Sequence, residues 1–332
     1  MHYFQADEAV VPPDSRVLAA VSSGADSMAL LFWLHSLGRD LVVGHIHHDL
    51  HELRNGACDD DFEFVRAKCA EIEVPFVARK IELARKNGHV NEEIARLGRY
   101  FALGEMAREN NCLLVATAHT ATDGLETALL NLMRGAGPNG WLGIAPRRVL
   151  EAEIQLVRPF WRLPREATRQ ILRENNWNWR EDASNLDPLF RRNRVRHEVL
   201  PLLSDISGQD FDDLAVRHAR NAQIGRDEAA FLETLTAEAL SKLRLQHRDD
   251  LVVLDGLKLR ELDVALQRRV IRSAARLLMP DLRDLASEKV EVARLAVSFQ
   301  FKRAVWTWRS DLRVEWTGAS AGNRLRFWRV WS

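Results

Sequence analysis

Through its first half the chain alternates short apolar runs with longer stretches in which apolar residues recur every three or four positions. Arg16-Val-Leu-Ala-Ala-Val21 is bounded by Pro12-Pro13 and a Ser-Gly loop, and the helical stretch Ser27 to Leu37 follows at once, closed by Gly38. The unit then recurs. Leu41 to His47 reads as strand, Asp59 to Glu71 as helix, Pro75 to Arg79 as strand and Glu92 to Asn110 as a long amphipathic helix. Leu113 to Ala118 is a further strand, leading into a helix over Asp123 to Met133. Apolar strands alternating with helices predict an α/β fold with a doubly wound parallel sheet, in which ligands sit where strand carboxyl ends meet the following helices.

After the glycine-rich Arg134 to Gly140 the rhythm weakens, with a strand at Glu153 to Arg158 and a helix near Arg165 to Asn175. From about Phe211 the pattern is mostly helical, interrupted by a strand at Leu251 to Leu254, with helices near Glu261 to Leu278 and Asp284 to Ser298. The last residues alternate instead, at Ala304 to Arg309, Leu312 to Trp316 and Leu325 to Trp331, which predicts a small terminal β element. A boundary near Asp205 to Gln209 therefore separates the α/β part from a second, smaller, mostly helical domain.

Charge changes this picture locally. The chain has 47 basic and 47 acidic residues and is neutral in sum, but Arg158 to Leu200 holds ten arginines, no lysine and six acids. Arginine without lysine suits bidentate contact with phosphate, and it suits intramolecular salt bridges as well. Cys58, Cys69 and Cys112 form no CxxC pair, which argues against a disulfide framework or a zinc ribbon. Met1 to Asp14 lacks a basic n-region and an apolar h-region, and no stretch approaches the ~20 apolar residues of a membrane helix. A cytoplasmic protein without membrane contact is expected.

Ser22-Ser-Gly-Ala-Asp-Ser27 lies between the first strand and first helix, where backbone N–H groups and the helix dipole can hold an anion. It is neither a Walker A loop nor a dinucleotide fingerprint. Ser22 and Ser27 offer hydroxyls, Gly24 permits close backbone approach, and Asp26 can hold a magnesium ion; a plain helix cap would use the same residue types. Asp123 and Glu126 lie three apart at the start of one helix and share a face. They can bind an ammonium group, a metal ion or both, or complement the helix dipole.

Ser-Gly-Gly-x-Asp-Ser at this place is the pyrophosphate loop of the N-type ATP pyrophosphatases, and Ser22 to Ser27 matches it except at Ser23. Within that superfamily the chain resembles the bacterial tRNA(Ile)-lysidine synthetases from about Val11 to Leu203. The resemblance is carried by His45-Ile-His-His48 with Leu50, Glu92 with Ala95-Arg96 and Arg99-Tyr100, and His119 with Asp123, Glu126 and Thr127. It continues through Arg134-Gly-Ala-Gly137 with Gly140 and Gly143, Arg158-Pro159, Asp182 to Asn185, and Arg192-Asn-Arg-Val-Arg196 before Pro201.

What the resemblance implies is a two-step ligation. ATP adenylates the C2 oxygen of the wobble cytidine of an isoleucine tRNA with a CAU anticodon, and the ε-amine of free L-lysine then displaces AMP. It implies a PP-loop ATP pyrophosphatase domain over 1–204 and a helical tRNA-contacting domain over 205–332, with a homodimer as one arrangement. By the same resemblance, Ser22, Ser23, Gly24, Ala25, Asp26, Ser27, His45 and His48 bind ATP, and Asp26 and Asp123 hold Mg²⁺. Asp123 and Glu126 bind lysine and share the catalysis with Asp26, while Arg134, Arg192, Asn193 and Arg196 contact tRNA. The sequence departs from the family at Ser23, His47, His51, Thr120, Thr122 and Gly124. Those departures fit altered details or, alternatively, a repurposed tRNA-binding paralogue.

Overall fold

The computed structural model describes residues 6–48, 57–81, 85–86, 89–90, 92–181, 191–282 and 285–330. The motif residues Asp49, Leu50, His51 and Asp182 to Asn185 lie outside them. The chain divides into two compact units, Met1–Gly225 and Arg226–Ser332.

In the first unit, β1 (Arg16–Ala20), α1 (Ala25–Ser36), β2 (Asp40–His48), α2 (Ala57–Glu71) and β3 (Phe76–Ile81) form the opening run. A short pair, β4 (Arg85–Lys86) and β5 (His89–Val90), precedes α3 (Glu92–Glu109), β6 (Leu114–Ala116) and α4 (Ala121–Met133). Next come β7 (Arg147–Glu151), β8 (Ile154–Val157) and α5 (Arg165–Glu174). The six-stranded sheet has the order β3-β2-β1-β6-β8-β7, parallel throughout except for β7 against β8. It is the α/β sheet expected, with one antiparallel edge strand added.

Period-two alternation explains why these strands read as continuous apolar runs. On β1, Val17 and Ala19 face a core shared with α1, α2 and α5, whereas Leu18 faces the core built on α3. Both faces are covered, so neither can be polar. The strand order reverses between β1 and β6, and in sheets of this kind the crevice that takes a ligand lies at that point, outside the strand carboxyl ends. The loops after β1 and β6 flank it.

The rest of the first unit is helical: α6 (Arg191–Arg194) runs through a wide π-type turn, Val195–Val199, into α7 (Leu200–Ser207), which Gly208 ends in the left-handed conformation. The division between units falls inside α8 (Phe211–Leu243). The second unit holds a five-stranded antiparallel sheet as well as helices. Its strands β9 (Arg244–Arg248), β10 (Leu251–Asp255), β11 (Ala304–Arg309), β12 (Leu312–Trp316) and β13 (Arg324–Arg329) are ordered β11-β12-β13-β10-β9. Helices α9 (Gly256–Glu261), α10 (Val264–Leu278) and α11 (Ser287–Ser298) share a core with Trp308, Trp316 and Phe327. Among the described residues no helix is long and apolar enough to cross a membrane.

Gly143 ties the segment after α4 back to that helix. Its φ of +64° suits glycine, and a Cβ there would lie 2.3 Å from the Gly124 carbonyl oxygen. Gly143→Ala is therefore expected to destabilise the protein by about 2 kcal/mol or more, through strain and overpacking together. Thermal unfolding checks this; an unchanged midpoint would show that the segment relaxes freely.

Candidate active site

The loop after β1 is held from within. The Ser27 hydroxyl donates to the Ser22 carbonyl at 2.6 Å and lies 2.9 Å from that of Gly24, while the Ser22 N–H donates back to it at 3.1 Å. Ser22 Oγ and Ser27 Oγ are 3.0 Å apart. Ser23 is buried and its carbonyl accepts from the Arg180 N–H at 2.9 Å. Gly24 precedes Ala25 as the N-cap of α1 without a side-chain cap, so the helix begins with uncapped backbone donors facing the crevice. A Cβ on Gly24 would meet Ser22 Oγ at an ordinary 3.6 Å. Packing within the protein therefore does not demand glycine there.

His45 supports this loop from β2. Its Nδ1 lies 2.9 Å from the Val21 carbonyl, and the buried ring packs against Phe62 and Phe76. Burial lowers its pKa, so the ring is neutral and donates from Nδ1. His47, on the same face, meets Asp59 at 2.9 Å. His48 closes β2 in register with Ile81.

Asp26 points from the first turn of α1 toward α5. Thr168 donates its hydroxyl to Oδ1 at 2.5 Å, and the Arg165 Nε lies 3.2 Å from Oδ2 at ion-pair distance. Burial raises the Asp26 pKa, with Asp123 adding to it, and Arg165 only partly opposes the rise. Arg165 also donates Nη2 to Asp123 Oδ1 at 2.9 Å. One guanidinium thus joins the acid of the first loop to the acid of the fourth helix.

Asp123 and Glu126 do share a face of α4, and each of their four carboxylate oxygens accepts at least one hydrogen bond. Thr120 is the N-cap, forming a capping box in which its N–H donates to Asp123 Oδ2 at 2.8 Å. Arg192 donates Nη2 to Asp123 Oδ1 at 2.8 Å and Nε to Glu126 Oε2 at 2.6 Å. Arg196 donates Nε to Glu126 Oε1 at 2.7 Å. Glu126 has no exposed area. Burial works against ionisation of Asp123, yet Arg165, Arg192, His119 and the Thr120 N–H hold its carboxyl far below the usual range. His119 lies 3.0 Å from Thr117 Oγ1, and burial together with Arg158 pushes its pKa down to about 3.

Arg192 and Arg196, expected to contact tRNA, are ion-paired to the two acids; Arg194 pairs with Glu198 at 2.7 Å. Asn193 is buried beside them. Arg134 is exposed at the other end of α4, eleven residues and so ~16 Å along the helix from Asp123. Arg158 is buried with its guanidinium on the Ala145 carbonyl at 2.5 Å, and Arg148 stacks over Tyr100 at 4.4 Å. Burial resists ionisation of the Tyr100 phenol, but these two arginines bring its pKa below the ordinary value.

Sequence reasoning missed Arg165 and Thr168 as partners of Asp26. Their helix is placed by a residue that looked like a departure. The N-cap of α5 is Pro164, which has no side-chain acceptor, and the first two N–H groups go to Thr122 Oγ1 at 3.2 Å and Asp212 Oδ2 at 3.4 Å. Thr122 in turn donates to Asp212 at 3.2 Å. An aspartate at 122 would face the Asp212 carboxylate instead.

The raised pKa of Asp26 carries a sign. A carboxyl whose folded-state pKa exceeds the ordinary 3.8 loses stability as pH rises from that value through the folded one. Ionised Asp26 therefore destabilises the fold at pH 7. Asp26→Asn is expected to melt at a higher temperature than wild type at pH 7 in chelator, with the advantage vanishing below about pH 4. A lower melting point at pH 7 would mean that the Arg165 and Thr168 contacts outweigh burial.

Residues 2–203 match the family model described as a PP-loop domain. The chain is 34% identical over 302 residues to a tRNA(Ile)-lysidine synthase of Geobacter sulfurreducens, covering 89% of this chain and 62% of that protein. Similar relatives are those of Dehalococcoides mccartyi, 31% identical over 292 residues with 86% and 61% covered, and Solibacter usitatus, 36% over 281 residues with 83% and 60% covered. The chain spans about three fifths of the length of these relatives. A solved structure, the U34-tRNA thiolase NcsA from Methanococcus maripaludis with its [4Fe-4S] cluster, shares the fold. Its TM-score is 0.51 at 13% identity, covering 66% of this chain and 76% of that one. With a phosphate-ready loop and a buried acid pair meeting at the switch point of such a sheet, and a family model spanning most of the first unit, the chain belongs to the PP-loop domain family.

Proposed function

We propose that this protein ligates L-lysine to C2 of the wobble cytidine of tRNA(Ile) through an adenylated tRNA intermediate, consuming ATP. The observation that carries the reading is the Arg165 bridge, which brings the first-loop acid Asp26 and the α4 acid Asp123 to one guanidinium at 3.2 and 2.9 Å. A site that must first transfer an adenylyl group and then admit an amine needs a phosphate cradle and carboxylates side by side. The names of the similar synthases supply the substrates.

In the first step the C2 oxygen of cytidine attacks the α-phosphorus of ATP and pyrophosphate leaves. The N–H groups at the start of α1, with the hydroxyls of Ser22 and Ser27, are the donors suited to the phosphoryl oxygens. Asp26 and Asp123 would hold Mg²⁺, since carboxylate oxygens are its preferred donors and Arg165 brings the two acids together. When bound, the ion would neutralise charge developing on the phosphates.

In the second step the neutral lysine ε-amine attacks C2, the C2–O bond breaks so that AMP leaves with that oxygen, and the nitrogen releases its proton to solvent. Asp123, ionised at all ordinary pH by its arginines, suits holding and orienting an ammonium more than accepting its proton. His119 is neutral at pH 7 and equally weak as a base. Glu126, with Arg192 and Arg196 on its oxygens, completes the acid face. The segment 205–332 is read as the tRNA-contacting part, and a homodimer is one arrangement compatible with this reading.

Incubating a CAU-anticodon tRNA(Ile) with the protein, ATP, Mg²⁺ and isotopically labelled lysine, then digesting the RNA, should yield a cytidine heavier by lysine, as read by mass spectrometry. Nucleosides free of label would sink the reading. Asp26→Ala should lower pyrophosphate release by about 10²-fold or more while melting no earlier than wild type. Undiminished release would place ATP elsewhere.

A further inference from the structure

Asp59, Asp60 and Asp61 stand as an unbroken acidic run near the start of α2. Acids at a helix start suit its dipole, yet each of these also has a definite partner. His47 of β2 meets Asp59 at 2.9 Å. Arg180 spans the other two, with Nε on Asp61 Oδ1 at 2.9 Å and Nη2 on Asp60 Oδ2 at 3.2 Å. Arg180 belongs to the short segment 176–181 that leaves α5. Asn176 turns the chain there with φ +54°, and the Trp177 N–H returns to the Leu172 carbonyl at 2.9 Å. The segment is then pinned to two other helices. The Trp177 ring meets Phe32 of α1 edge-on at 5.0 Å, and Lys68 Nζ of α2 stands 5.0 Å over it. Trp177 and Trp179 both pack against the core that α1 shares with α2.

What this strap holds is one peptide plane of the first loop. The Arg180 N–H donates to the Ser23 carbonyl at 2.9 Å. In a trans peptide the C=O and the following N–H point opposite ways. A Ser23 carbonyl turned toward the strap therefore turns the Gly24 N–H away from it, to the side of the Ser22 and Ser27 hydroxyls. There the Gly24 N–H finds Ser22 Oγ at 3.4 Å, the outer limit of a hydrogen bond, so most of its donor capacity is left for a ligand. Reversing this plane would aim a carbonyl oxygen at an incoming phosphate. Glycine at 24 makes the reversal easy, because it tolerates φ of either sign, and its observed φ is −72°. Within the loop the Ser27 hydroxyl engages the Ser22 and Gly24 carbonyls, which leaves that of Ser23 to the strap.

We infer that Arg180 is a positioning residue for the phosphates of ATP: anchored on Asp60 and Asp61, it keeps the Gly24 N–H aimed into the cradle. The inference rests on the proposed ATP site, so binding is measured apart from turnover. Equilibrium dialysis of α,β-methylene-ATP with Mg²⁺ gives Kd for wild type, Arg180→Ala, Arg180→Lys and the double variant Asp60→Ala, Asp61→Ala, with thermal unfolding of each. Arg180→Ala should weaken binding about tenfold, the loss expected for one hydrogen bond to a charged group. Its melting point should fall by a few degrees at most, since the ion pairs are partly exposed. The double acid variant should lose as much affinity, all three substitutions together no more, and Arg180→Lys should recover most of it. KM for lysine should not move in any of them. An unchanged Kd in Arg180→Ala overturns the inference. So does a double acid variant that binds as well as wild type or better, since that marks a freed guanidinium touching phosphate directly. If Arg180→Ala does not fold, the double acid variant decides alone, because it leaves the Arg180 backbone in place. No binding by wild type overturns the inference and the ATP site together, whereas the expected binding without lysidine formation defeats the lysine-transfer reading alone.

Discussion

An ionised carboxylate taken out of water costs several kcal/mol unless a cation meets it, and Glu126 is wholly out of water. Most of the site's construction follows from that constraint. Glu126 draws in Arg192 and Arg196, which fixes where the Arg191–Val199 segment runs; Asp123 draws in Arg165, which fixes the start of α5. Arg165 then reaches Asp26, so the geometry of the first loop depends on cations recruited by another helix. Losing one partner would leave a buried charge of the other sign, so these residues stand or fall together.

The departures from the family pattern have local explanations of the same kind. Thr120 closes a capping box with Asp123 and so orients the carboxylate that the arginines grip. Thr122 supplies the acceptor that Pro164 lacks, and shares Asp212 with the N–H of Glu166. Each threonine does a backbone-satisfying task that a larger charged side chain would do differently, beside acids already in place.

Parallel strands such as Arg16–Ala20 were legible in the sequence because both their faces are buried and the run is unbroken. The strands Arg147–Glu151 and Arg244–Arg248 escaped notice for the opposite reason: each is an edge strand, and charged residues that protect an exposed edge erase the apolar signal. The expected helix from Glu261 to Leu278 is α10, which begins at Val264, while the short α9 that ends at Glu261 was not expected. Within the site, the i,i+3 spacing of Asp123 and Glu126 announced a shared face, although not that Arg192 and Arg196 meet it. Arg165 and Thr168 were invisible, because a bond spanning 142 residues, as from Thr168 to Asp26, leaves no trace in local pattern.

Asp26, Asp123 and Glu126 against Arg165, Arg192 and Arg196 make the site neutral in sum. A charged ligand can therefore enter it only by ion exchange. An ammonium arriving at Asp123 or Glu126 displaces a guanidinium, and that guanidinium, still charged and still in a dry place, must find an anion in turn. Phosphate is the counter-ion such a displaced arginine prefers. Charge neutrality thus links the admission of a cation to the presence of an anion nearby, with no moving domain required.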